Sequence, residues 1–107
     1  AALAGRDEWA KQPSGLVQAY AASPAVPVAR GRELLKRVAA ARPDDFGVAM
    51  QVGGTYPLAT PDGAGERVRW FQAAAALRPR SAAARNGLGT ALRDNRDPDG
   101  AAAVFRE

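Results

Sequence analysis

The sequence predicts an all-α chain, an α-solenoid of antiparallel helix hairpins with about seven helices. Three observations carry this reading. Alanine supplies 26 residues and arginine 13, against two lysines, and both types favour helix. Apolar residues recur one helical turn apart, as in Leu88 and Leu92 or Ala101 and Phe105. The layout also repeats: Leu16, Val52 and Leu88 are separated by 36 residues each time, as are Tyr20, Tyr56 and Leu92, and Pro43 and Pro79 share that interval. Phase agreement at several positions marks a repeat whose units bury their faces by stacking.

Residues 1–12 read as an N-terminal packing helix around Leu3, Glu8 and Trp9, outside the repeat phase and ended by Pro13. Trp9 is expected to pack against the first unit rather than to hold a ligand. Residues 13–45 form a degenerate unit. Its first helix runs from Ser14 to Ala22 with Leu16, Val17 and Tyr20, and a two-proline loop follows from Ser23 to Pro27. Its second helix, Val28 to Ala41, turns Leu34, Leu35 and Val38 inward and leaves Arg30, Arg32, Lys36 and Arg37 mostly solvated.

Residues 46–81 form the second unit. A helix from Phe46 to Tyr56 faces its neighbours with Phe46, Ala49, Val52, Gly53 and Tyr56. The turn-rich run from Pro57 to Gly65 is an extended inter-helix loop. A helix from Ala64 to Leu77 then presents Val68, Phe71, Ala74 and Leu77 on one face, with Trp70 beside it. Residues 82–107 form the third unit, in which Ser81 caps the first helix. Asn95-Arg96 makes a short turn, and Asp97 caps the second helix with Pro98 at its tolerated first position. Leu88 and Leu92 point into the hairpin, Gly89 removes a side chain where a neighbouring helix presses, and Ala101 and Phe105 set a small residue beside a bulky one.

Leu77-Arg78-Pro79, then Leu88-Gly89 with Leu92, then Ala101 with Phe105 form a skeleton that resembles the tetratricopeptide repeat (TPR) family. The interval from Phe71 to Phe105 is 34 residues, the usual length of that repeat. Two positions depart from the pattern: Pro13 stands where the family has an aromatic, and Arg67 where it prefers alanine. The resemblance implies a non-catalytic scaffold whose first helices line a concave groove for a peptide or protein segment. The Arg-Pro junctions and the Ala/Arg-rich composition look similar to repeat regions C-terminal to serine/threonine kinase domains in planctomycete-type bacteria. No kinase motif occurs in the chain itself. With no initiator methionine and an end inside a helix, the chain reads as a piece of a longer, cytoplasmic protein.

The helical spacing also places the groove. Asn86, Thr90 and Arg93 share a face turned away from Leu88 and Leu92, and 36 residues earlier the equivalent positions are Met50, Gly54 and Pro57. The expected partner-binding residues are therefore Met50, Gly54, Asn86, Thr90 and Arg93. They suit an extended or helical segment with an acidic residue opposite Arg93 and an apolar one over Met50. Met50 and Gly54 interrupt the run of asparagine and basic residues that grips a terminal carboxylate in such families, so no carboxylate clamp is expected.

The chain has no cysteine and no histidine, which removes the thiolate zinc site, the commonest metal ligand and the usual proton shuttle. No nucleophile motif stands out, so no enzyme, no cofactor and no metal site is expected. Asp44 and Asp45 suit a helix N-terminus better than an acid–base pair. Gly53-Gly54 lies inside a helical pattern without the lysine of a phosphate loop. Asn95, Asp97, Asp99 and Gly100 imitate the first half of a calcium loop, but the closing glutamate falls at Glu107, one residue late. A net charge of +4 and a pI of about 10.3 admit an alternative, an RNA-binding helical-repeat module. Scattered arginines and few aromatics for stacking weigh against it. No membrane span is expected, and the C-terminal helix, with Val104 and Phe105, is expected to promote self-association.

Overall fold

The computed structural model describes residues 13–57 and 60–106, and every regular element within them is an α-helix. Six helices follow in order: α1 Ser14–Ala22, α2 Val28–Ala41, α3 Phe46–Gly54, α4 Pro61–Leu77, α5 Ala82–Asp94 and α6 Pro98–Arg106. The helix expected over residues 1–12, Trp9 included, and the calcium-loop position Glu107 lie outside the described residues. Each helix packs chiefly on its neighbours along the chain, α1 also reaches α3, and the body is elongated, 46 × 26 × 19 Å.

Side-chain caps set most of the helix starts. The Asp45 carboxylate accepts the N–H of Val48, the Ser81 hydroxyl that of Ala84, and the Asp97 carboxylate that of Gly100. Each gives a partner to a backbone donor that the helix itself cannot satisfy. At α4 the expected start is corrected. The Thr60 hydroxyl accepts the N–H of Gly63 and Pro61 occupies the first turn, so the helix begins three residues before Ala64 and the connection shrinks to residues 55–60. The end of α3 is corrected too. It stops at Gly54 rather than Tyr56, because the Thr55 hydroxyl donates back to the Val52 carbonyl at 2.6 Å and closes the last turn.

The junctions α2–α3 and α4–α5 are the same structure, 36 residues apart. Arg42 and Arg78 end their helices at φ, ψ of −133°, 71° and −136°, 82°. The proline after each excludes helical backbone there. In both, the cap of the next helix closes the turn: the Asp45 N–H reaches the Arg42 carbonyl at 3.1 Å, and the Ser81 N–H reaches the Arg78 carbonyl at 3.0 Å. The α5–α6 turn is built differently. Arg96 takes φ 62°, the Asp97 N–H bonds the Leu92 carbonyl at 2.8 Å, and the Arg96 N–H bonds the Arg93 carbonyl at 3.1 Å. These are the two crossed bonds of a Schellman ending.

The core changes character along the chain. Its first part is aliphatic, with Val17, Leu34, Leu35, Val38, Val48 and Val52 fully or almost fully buried. Its second part is Ala49, Ala74 and Ala84, with Trp70 packed on both. Phe71, only 7% exposed, adds the bulk that the alanines lack. A Cβ on Gly53 would come within 2.9 Å of its ring and one on Gly87 within 3.0 Å, so α3 and α5 approach α4 through their glycines. Phe105 lies over Gly89 in the same way, yet stays 48% exposed.

Several expected orientations shift by one position. Of the residues named on α1, Val17 is buried and Leu16 is 53% exposed. Val17 lies 36 residues before Gly53, so the first unit fills that place with a side chain and pairs it with Leu35 where the second has Phe71. Leu77 is exposed rather than inward, since it ends α4 beyond the contact with α5. In α5 the buried residues are Ala84, Gly89 and Ala91, while Leu88 and Leu92 are half-buried.

Two arginines tie each second helix to the end of the following first helix. Arg32, expected to be solvated, donates from Nη2 to the Thr55 carbonyl at 2.7 Å and from Nε to its hydroxyl at 3.0 Å, with its guanidinium 4.1 Å from the Tyr56 ring centre. It caps the carbonyl end of α3, where a cation is favoured. Arg67 on α4 is 5% exposed and pairs through Nη1 with Asp94 Oδ2, at the end of α5, at 3.1 Å. Gly31, Arg67 and Ala101 share one place in their units, and all three are buried. The arginine fits among these small residues because its head leaves the interface toward Asp94.

Phe71→Ala should lower unfolding free energy by about 3–5 kcal/mol in urea titrations, whereas Phe105→Ala, about half as buried, should cost roughly 1–2 kcal/mol. Equal costs would contradict the packing. Asp94→Asn should cost roughly 2–3 kcal/mol because it leaves a buried guanidinium without its counter-charge. Arg67→Met, which keeps the stem and removes the charge, should be nearly neutral in the same titration.

Candidate functional site

The first helices of the hairpins touch at a few places. Gln51 on α3 donates through Nε2 to the Gln18 carbonyl of α1 at 2.9 Å, and the Gln18 amide lies against Gly47. Ala49 and Ala84 join α3 to α5 through the shared alanine cluster. Arg78 reaches back to place its guanidinium 4.5 Å from the Phe46 ring centre, so the start of α3 is held by the end of α4.

Among the described residues, hollows open on this frame at two places that bear on binding. The larger, about 510 Å³, lies between the last turns of α1 and α3 and the start of α2, with Ala22, Pro24, Val28, Gln51, Gly54 and Thr55 in its wall. It is mostly apolar, and Gly54 opens it, since a Cβ there would meet nothing within 4 Å. The second, about 340 Å³, lies between the first turns of α5 and the last turn of α6. Its wall is Ala82, Ala83, Arg85, Asn86, Val104 and Phe105.

The five expected groove residues are not gathered in one cavity. Gly54 lines the larger hollow and Asn86 the smaller. Met50 is half-buried and packs on the alanine cluster, Thr90 is half-buried, and Arg93 is exposed. What the sequence reading missed is the pair Arg85 and Phe105 across the smaller hollow, which lies twenty residues and one helix turn-around apart in the chain but across one gap in space. A signal was present: Phe105 is the large residue of the small-and-large pair, and a ring whose tip meets Gly89 leaves much of its surface to be filled.

Asp44 is exposed and Asp45 caps α3, and among the described residues no group of three acidic side chains comes together as a metal would require. Among the same residues no helix is long and apolar enough to cross a membrane. No family model matches the chain, and no curated protein or solved structure matches it either.

Gly54 ends α3 with ordinary helical backbone and open space beside it. Gly54→Ala should therefore raise stability by about 0.5–1 kcal/mol, read as a higher midpoint in urea. A loss instead would mean that the wall of the larger hollow is closed in solution.

Proposed function

We propose that the protein is a non-catalytic protein-binding module, an α-solenoid of the TPR type that receives a peptide or protein segment along its first helices. The observation that carries this reading is the pair of matching junctions, Arg42 to Asp45 and Arg78 to Ser81, which set successive hairpins in the same relation. Units joined this way add surface along one face, and such surfaces act through contact area. Neighbouring first helices, the contact between Gln51 and Gln18, and an apolar hollow at Gly54 support a groove there. Within a longer bacterial protein, such as a repeat-bearing serine/threonine kinase, the module would recruit partners or substrates in the cytoplasm.

The arginines fit an RNA-binding role less well. Arg32 lies over Tyr56 and Arg78 over Phe46, so these rings already have a cation on the face that a base would need.

The test is an array of random twelve-residue peptides probed with the pure protein. A subset of extended segments should be retained, and the double variant Asn86→Ala, Arg93→Ala should lose them while its melting temperature moves by less than roughly 2 °C. Retention of no peptide, with salt-dependent binding of labelled single-stranded RNA, would replace this reading by the RNA-binding one.

A further inference from the structure

The smaller hollow combines three features that no packing role accounts for. Its Arg85 is half-buried, and the Nε of that side chain is closed off from solvent with no hydrogen-bond acceptor. Next to it in the wall is Asn86, exposed, with an amide that both donates and accepts. Opposite are Val104 and Phe105, the tip of the ring against Gly89 and the side chain 48% exposed. A cation with one buried and unpaired donor, an amide and an aromatic side chain thus line about 340 Å³.

We infer that this hollow is a docking site for an acidic peptide, specifically for a carboxylate side chain with an apolar neighbour. The inference rests on the reading of the protein as a peptide-binding module and adds a contact at the end of the helix stack. An unpaired, desolvated donor carries a standing cost in the free protein, and an acceptor that meets it recovers that cost on binding. A carboxylate is the acceptor that matches a guanidinium best, because it accepts two parallel N–H bonds and neutralises the charge. Arg85 already lines the hollow, so an entering carboxylate meets its side chain there. The apolar neighbour then covers the exposed part of Phe105 and lies against Val104, while Ala82 and Ala83 are small enough to let the segment's backbone pass. Charge complementarity selects the occupant, since the described wall holds a cation and no acidic side chain.

Fluorescein-labelled octapeptides with a central Leu-Glu, Leu-Gln or Ala-Glu pair provide the test, read by fluorescence anisotropy on the whole chain. The Leu-Glu peptide should bind at least about tenfold more tightly than either of the others, the size expected for one charge-assisted contact. Arg85→Met should erase the preference for glutamate over glutamine without lowering the circular-dichroism melt, since it also removes the unpaired donor, and Val104→Glu, which places a carboxylate in the hollow, should block binding. Equal affinity for the Leu-Glu and Leu-Gln peptides, or an unaltered preference in Arg85→Met, would overturn the inference. Peptides that bind but shift the amide resonances of Gln51 and Gly54 instead of Asn86 and Val104 would overturn this site and leave the module reading standing; binding of no peptide would end both. Concentration-dependent dimerisation that Arg85→Met abolishes would assign the hollow to a second copy and overturn the acidic-peptide assignment.

Discussion

The fold depends on the seating of one ring. Phe71 projects from α4 between Gly53 of α3 and Gly87 of α5, and neither helix could come as close with a side chain at those places. Three helices from two hairpins therefore share a single bulky residue, while the alanines around it contribute short contacts and little volume. Where the chain is richer in leucine and valine, around Val17 and Leu35, no such ring is needed, because two medium side chains fill the space that a glycine and a phenylalanine fill farther along. The same volume is reached by different divisions of it.

The repeat is kept more faithfully at its junctions than in its hairpins. Arg-Pro and the cap after it recur with matched backbone angles and the same closing bond, whereas the connections inside the hairpins, residues 23–27, 55–60 and 95–97, differ in length. Insertions at a hairpin tip leave the relation of the hairpins unchanged, but an insertion at a junction would rotate every later helix. The arginine clamps follow from this arrangement. Arg32 and Arg67 each hold the far end of the next first helix, the end that the junction does not reach.

Much of this was legible in the sequence. The limits of α1 and α2 and the caps Asp45, Ser81 and Asp97 follow from proline and polar-residue placement, and the glycine contacts at Gly53 and Gly89 follow from the phase of the repeat. The start of α4 was hidden because Pro61-Asp62-Gly63 has the composition of a turn. The identical run Pro98-Asp99-Gly100-Ala101, which opens α6, was the available clue that Pro61-Asp62-Gly63-Ala64 opens a helix as well. Burial was harder to read. A one-residue rotation decides between Leu16 and Val17, and spacing alone does not resolve it in a nine-residue helix. The buried Arg67 and the hollow beside Arg85 were out of reach for a different reason, since both depend on residues contributed by another helix.

The near-neighbour order of packing also bears on how the chain acquires its shape. When each helix finds its main contact in an adjacent one along the chain, the loops that must close are short and their entropy cost is small. Chains of such low contact order fold in microseconds to milliseconds, without waiting for distant segments to meet. Nothing obliges folding to begin at one place, so the aliphatic end around Leu34 and Val38 can nucleate and the alanine-rich hairpin can dock on it afterwards. Amide protection should then grade along the chain, highest in α2 and α3 and falling toward α6, giving a molecule that loosens from one end.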